Sequence, residues 1–252
     1  VNATYNYELP EALIADRPTS KRGNSRMLIL ERSTGQITHG MFADFPKFIQ
    51  SGDLVILNDS QVIPARIFSS DKRVELLVLE QMSGLRWKCF VKPGRRMRLG
   101  AAIRIADSIA TVIEILQEGE RILQLSAPID LDVHGVLPLP PYIKRPADCA
   151  DQQRYQTVFA RIPGSIAAPT AGLHFDANIL SQIPHAFLTL HVGVGTFRPV
   201  KCERIEDHIM HEEIYFLPEA TADALNRCQR IIAVGTTVTR ALESQPPGPF
   251  RP

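Results

Sequence analysis

Residues 73–94 read RVELLVLEQMSGLRWKCFVKPG, two apolar runs of strand length on either side of a Met-Ser-Gly-Leu turn. Runs of the same kind flank them: VIPARIFS (62–69) before, then AAIRIADS (101–108), IATVIEILQEG (109–119) and RILQLSAP (121–128) after. Even spacing, period-two alternation and glycine-bearing turns predict a small closed β-barrel. No segment of helical period interrupts these six runs. An open sandwich is the competing arrangement.

Outward from this block the texture changes. Upstream, YELPEALIADRP (7–18) gives a helical turn after Pro10, and SRMLILERSTGQITHG (25–40) reads as two strands around a Ser-Thr-Gly turn. A short helix over FADFPKFIQ (42–50) leads to a buried strand at Leu54–Leu57, closed by the turn formers Asn58, Asp59 and Ser60. Downstream, the proline-rich VLPLPPYIKRP (136–146) is extended and marks a boundary. Helix and strand then alternate through DANILSQI (176–183, capped by Asp176), HAFLTLHVG (185–193), EEIYFLP (212–218), EATADALNRCQ (219–229) and RIIAVGTT (230–237). Alternation of this kind predicts an α/β domain. The simplest organisation is a discontinuous α/β domain, residues 1–61 and 143–252, interrupted by an inserted β-barrel domain at 62–142.

Composition narrows the function classes. The chain has 252 residues, 44% of them hydrophobic, enough for a substantial core. A net charge of +1 does not announce a nucleic-acid binder, although a sum conceals local patches. Such patches occur in KPGRRMRLG (92–100) and KRPADCADQQR (144–154), where phosphate tracking and a solvated turn are equally good accounts. Cys89, Cys149, Cys202 and Cys228 are scattered without metal spacing and read as reduced thiols. No long apolar run occurs near the start or elsewhere, so a cytoplasmic protein without signal peptide or membrane span is expected.

Small residues and imidazoles gather in three places. PTAGLHF (169–175) offers Thr170, Gly172 and His174, and LHVGVGTFRP (190–199) offers His191, Gly193, Gly195, Thr196 and Phe197. The latter lacks the G-x-G-x-x-G spacing, and Arg198-Pro199 stands where a helix would have to begin, which rejects a dinucleotide loop. In IIAVGTTVTRALE (231–243) a buried strand ends at Gly235, and Thr236 and Thr237 open a helix whose first amides suit an anion. Simple N-capping by either threonine is the plainer account. EDHIMHEE (206–213) pairs His208 with His211 but is not H-E-x-x-H and has no third ligand at useful spacing, so no metal is expected. The glycine-bearing corners are expected to converge on one cleft that holds both His174 and His191.

Taken together, GDLVILNDSQVIPARI, PLPPYI, RYQTVFA, AAPTAGLHF, TLHVGVGTFRPV, EDHIMHEE and IAVGTT, in this order, resemble the S-adenosylmethionine:tRNA ribosyltransferase-isomerase family of queuosine biosynthesis. The likeness spans almost the whole chain. It implies an α/β domain with an inserted six-stranded Greek-key β-barrel. It also implies transfer of the ribosyl part of S-adenosylmethionine to the aminomethyl group of a deazaguanine base in the tRNA anticodon. Epoxyqueuosine-tRNA, adenine and methionine would be the products. S-adenosylmethionine would serve as ribosyl-donating cosubstrate, tRNA carrying the precursor base as partner, and the working unit would be a monomer.

Such chemistry needs a base near neutral pKa, a proton donor for adenine, and amides or hydroxyls aimed at ribose oxygens. His174 and His191 are the candidates for acid–base work. Thr170, Gly172, Leu173, Gly193, Gly195, Thr196, Phe197, His208, Gly235, Thr236 and Thr237 are the candidates for substrate contact. Two departures stand out. Gln61 replaces an arginine common in the family, and the family continues beyond ALES into a further segment, so the α/β domain is expected to lack its C-terminal part. A truncated, non-catalytic tRNA-binding relative is the alternative function.

Overall fold

The computed structural model describes residues 7–117, 119–197, 204, 207 and 212–252. Its organising element is the strand Asp53–Asn58, all six residues of which are buried. Numbered in chain order, the strands before it are β1 (Arg26–Glu31) and β2 (Gln36–Met41), and this strand is β3. Strands β4 (Ser60–Val62), β5 (Arg66–Phe68), β6 (Glu75–Met82), β7 (Arg86–Lys92), β8 (Ala102–Ile105), β9 (Ser108–Ile115) and β10 (Arg121–Leu125) follow. The second half holds helices α1 (Leu131–His134), α2 (Cys149–Arg154) and α3 (Ala177–Leu180), and strands β11 (Ile162–Ser165) and β12 (His185–Leu190). It ends with β13 (Tyr215–Phe216), α4 (Glu219–Arg227), β14 (Arg230–Ala233) and α5 (Gly235–Glu243).

Strand β3 pairs in parallel on both sides, with β12 from His185↔Val55 to Leu188↔Asn58 and with β14 from Arg230↔Asp53 to Ala233↔Ile56. With β13 antiparallel at one edge, the order is β13-β12-β3-β14. Parallel strands need cover on both faces, and the apolar run supplies residues for both. Leu54 and Ile56 pack with Leu188, Leu190, Ala222, Leu225, Val238 and Ala241, which puts α4 and α5 on one face. Val55 and Leu57 pack with Phe159, Phe175, Ile179 and Ile183, backed by Phe42 and Phe45 of the 3-10 turn Phe42–Phe48. At the start of β3, Arg230 holds Asp53 through bonds of 2.8 and 2.5 Å and, as the largest influence, lowers that carboxyl to about 2.

The six runs predicted between 62 and 128 form one antiparallel sheet of order β5-β6-β7-β10-β9-β8. Alternation turns one set of side chains inward. Ile67, Leu76, Val78, Trp87, Cys89, Val112 and Leu123 make a separate core with Met97 from the connection after β7. Beyond β5 the Ser70 amide donates to Arg104 O of β8 at 2.8 Å, so the two ends of the sheet approach each other.

Two features differ from expectation. Asn58, Asp59 and Ser60 do more than close β3. Ser60 opens β4, which pairs in parallel with β11, and Asp59 lies buried. Helix α5 starts at Gly235 with Val234 at the N-cap and no side-chain cap, so capping does not account for Thr236 and Thr237.

Leu57 is fully buried between these layers. Leu57→Ala should lower unfolding stability by about 2–5 kcal/mol. Leu28→Ala, at an exposed position of β1, should change it by no more than about 0.5 kcal/mol. Chemical denaturation of both variants checks the contrast.

Candidate functional site

Open α/β sheets bind ligands outside the carboxyl ends of their strands. Here β3, β12 and β14 end at Asn58, Leu190 and Ala233. Asn58 locks the first two ends together. Its Nδ2 donates to Leu190 O at 2.9 Å, while its Oδ1 accepts from Leu190 N at 3.0 Å and Ser60 N at 3.1 Å. Asp59 then accepts from the Thr189 hydroxyl at 2.6 Å and from Arg161 Nη2 at 2.6 Å and Nε at 3.1 Å. The Arg161 guanidinium also lies 4.9 Å from the Phe187 ring centroid.

His191 follows directly on β12. Its Nδ1 is 2.7 Å from Ser60 Oγ, which is 2.7 Å from Ser165 Oγ, and that hydroxyl accepts the Val192 amide at 2.9 Å. A continuous relay has Ser165 donating to Ser60 and Ser60 donating to Nδ1, which leaves the proton on Nε2. Gly164 holds the ring from behind. Its φ of +150° suits glycine, and a Cβ there would sit 2.7 Å from the imidazole. Burial lowers the His191 pKa, and the Asp59 charge opposes that more weakly. His191, Asp59, Arg161 and Thr189 line a hollow of about 420 Å³ together with Tyr215 and Phe216.

The stretch 169–175 forms a 3-10 turn, Thr170–His174. Gly172 lets it close on Thr157 and Phe159, each 2.9 Å from where a Cβ would stand. Gly235 (φ +82°) lets α5 meet it, since a Cβ there would be 2.9 Å from Ala171 Cβ. Arg22 pins the turn by donating to Leu173 O, Gln153 O and Gln156 O at 2.8, 2.9 and 2.6 Å. His174 Nδ1 lies 3.1 Å from Ser25 Oγ, and its ring rests 5.2 Å from Phe42. Burial first, and Arg22 second, lower its pKa. His174, Thr170 and Leu173 line a hollow of about 340 Å³ with Arg22, Arg145 and Tyr155.

Among the described residues the two imidazoles line different hollows. Gly193 donates its amide to Glu213 at 3.0 Å, and Glu213 is ion-paired with Arg240 of α5, so the second glycine corner is tied to the third. Gly195, Thr196 and Phe197 lie in the 3-10 turn Val194–Phe197. Thr237 is buried behind the opening of α5, and Thr236 is exposed there. His208 lies outside the described residues, as does His211. Among the described residues no three His, Cys, Asp or Glu side chains are grouped to hold a metal ion.

Sequence reasoning missed Ser60, Asp59, Ser165, Arg161 and Arg22. The signal available for the first two was a polar triplet, Asn-Asp-Ser, placed directly after the apolar run Leu54–Leu57. Nothing local marks the others, because their partners lie about a hundred residues away or more.

The fold and site define an α/β protein with one hollow beside His191 at the carboxyl end of β12 and another beside His174 in the 3-10 turn that α5 meets. The family model described as queuosine biosynthesis protein matches residues 2–248, and the chain belongs to this family. Relatives named S-adenosylmethionine:tRNA ribosyltransferase-isomerase include those of Staphylococcus saprophyticus and Halothermothrix orenii. Each is 46% identical, with 95% of this chain aligned to 75% of theirs. A crystal structure of S-adenosylmethionine tRNA ribosyltransferase from Thermotoga maritima aligns with 97% of this chain and 74% of its own, at 29% identity and a TM-score of 0.45.

Both imidazoles should titrate below about 6.5, the unperturbed histidine value. Asp59→Asn should lower the His191 value further, because it removes the one charge that favours the imidazolium. Since depressed histidines bind protons more weakly folded than unfolded, stability should fall as pH drops through that window. Ring-proton NMR across pH 4–8 (about the range needed) reads both values, and a His191 titration above the unperturbed value contradicts the geometry.

Proposed function

We propose that this chain transfers the ribosyl moiety of S-adenosylmethionine to the 7-aminomethyl-7-deazaguanine base of a tRNA anticodon, releasing adenine and methionine and leaving epoxyqueuosine-tRNA. The observation that carries the proposal is the 46% identity over 95% of the chain to relatives named for ribosyl transfer and isomerisation. The geometry supports it. A sulfonium acidifies the neighbouring C5′ proton, and a histidine with lowered pKa is neutral near pH 7 and able to accept it through a free ring nitrogen. His174 sits beside Thr170 in a hollow walled by arginines, while His191, whose Nδ1 accepts from Ser60, keeps a proton on Nε2 and so serves as a hydrogen-bond donor.

Substrate contacts fall to Thr170 and Leu173 from the hollow, to Gly172 and Gly235 as the points of close backbone approach, and to the amides of Thr236 and Thr237. Those amides have no side-chain cap. Gly193, Gly195, Thr196, Phe197 and His208 complete the proposed set. The Gly193 amide is held by Glu213, which fixes the corner that carries these residues.

The same proposal takes residues 1–61 and 143–252 as one discontinuous catalytic domain and 62–142 as an inserted Greek-key barrel. Pairing of β3 with β12 and β14 supports the first. The order β7-β10-β9-β8, with β7 beside β10 instead of β8, and the Ser70–Arg104 bond support the second. The working unit is a cytoplasmic monomer. Among the described residues no helix is long and apolar enough to cross a membrane.

Chromatographic detection of adenine, with and without tRNA carrying the precursor base, tests the activity. Adenine should appear only with that tRNA, and tRNA binding without adenine would assign a non-catalytic role. His174→Asn and His191→Gln should each cut kcat, by about 10²–10⁴-fold for the group that acts as base. An unchanged kcat removes that residue from the mechanism.

A further inference from the structure

The connection after β7 gathers Arg95, Arg96 and Arg98 around Met97. The three arginines are exposed, whereas Met97 is fully buried in the core of the six-stranded sheet. An apolar anchor thus holds three outward cations in place. The loop is fixed further where Arg121 donates to Met97 O at 2.8 Å. The register Glu75↔Lys92 puts the start of β6 and the end of β7 at the same end of the sheet. The turn before β6 therefore adds Lys72 and Arg73 to the same rim, and Lys92 joins them; all three are exposed.

Among the described residues the opposing charge at this end comes from Asp71, Glu75, Glu120 and the exposed Glu114. Asp71 is the carboxylate within the cluster, 3.8 Å from Arg73 and influenced by Arg96 as well. Glu75 is engaged by Arg66 at 3.0 Å, and Glu120 by Lys88 at 3.6 Å. Lys72, Lys92, Arg95, Arg96 and Arg98 make no ion pair within 4 Å among the described residues. A chain of net charge +1 has concentrated positive charge on one rim.

The other end of β5, which pairs with the start of β6, leads to the hollow at His174. Arg66, which opens β5, donates to Leu139 O, and Leu139 lines that hollow. From Arg66 to Lys72 the chain spans at most about 20 Å at 3.3 Å per residue. A small anion cannot occupy both places. A structured polyanion with a base in the hollow and its backbone continuing past the sheet can.

We infer that this rim is the docking surface for the phosphate backbone of the RNA substrate, an inference that rests on the tRNA-modifying reading above. Its contacts are electrostatic, so they set affinity and orientation and leave the chemical step alone. The rim does not distinguish one base from another.

The test compares wild type with Arg95→Glu/Arg96→Glu/Arg98→Glu, a milder triple alanine version, and Arg227→Glu on α4 as a control for net charge. The probe is tRNA carrying the precursor base, followed by fluorescence anisotropy from about 50 to 300 mM salt. Both rim variants should bind at least about tenfold more weakly at low salt, with a log–log salt slope shallower by about 2–3. The KM for tRNA should rise while kcat at saturating tRNA holds, and Arg227→Glu should resemble wild type. Unchanged affinity and slope in rim variants of an active enzyme overturn the rim assignment alone. Loss of binding to anionic lipid vesicles with tRNA binding intact overturns it as well. A wild-type chain that neither binds this tRNA nor releases adenine overturns the underlying reading. Thermal melts of each variant identify any loss due to misfolding, in which case the alanine version decides.

Discussion

Asn58 joins two stretches of chain that are 132 residues apart, because its amide group both donates to and accepts from the backbone of Leu190. A buried amide with one partner missing is costly, and here the donor and the acceptor are both satisfied by the same distant strand. The rest of the site inherits its position from that lock. With β3 and β12 ending side by side, Asp59 meets Thr189, Ser60 meets His191, and β4 can run beside β11. The polar groups lie at the end of the apolar run Leu54–Leu57, where a bond to the wrong neighbour would leave several of them unpaired at once.

Glycines do different work in the same region. Gly164, Gly172 and Gly235 are not merely turn formers; each removes a Cβ that would meet an imidazole, an aromatic ring or a neighbouring loop at under 3 Å. They allow three segments to touch that the sheet alone would only bring near one another. The price is that the imidazoles end up fixed rather than adaptable. His191 is wedged against Gly164, and His174 leans on Phe42. Fixed rings with lowered pKa suit proton transfer, which depends on distance and on the neutral form being populated.

Much of this fold was legible in the chain because its elements follow simple periodicities. The run Leu54–Leu57 is apolar throughout and bounded by turn formers, and the segments of 62–128 alternate and are spaced by glycines, so each declared its state locally. Asn58, Asp59 and Ser60 were misread because residues that close turns are also those that bond across strands. Only the distant partner separates the two uses. Glycine-bearing corners and histidines stood out in the chain as candidates for a site. Their division between two hollows was not, since it follows from how Arg22, Ser25 and Arg145 pack on one side and Arg161 and Phe216 on the other. Threonines after a strand looked like caps, yet α5 begins with close contact between Gly235 and Ala171 and no cap at all.

The parallel pairing of β3 bears on the order in which the molecule can be made. The six-stranded sheet uses residues 66–125 alone, mostly hairpin neighbours, and can close while later residues are still being added. Strand β3 emerges before it but has to wait for residues 185–190 and 230–233. Until then Val55, Ile56 and Leu57 are exposed with unpaired edges, a state prone to association with other chains. Non-local pairing of this kind also slows folding, because the loop must close before any contact rewards it. The early sheet shortens the loop left to close by collapsing the intervening chain, and the bridge between Arg66 and Val136 brings its two flanks together.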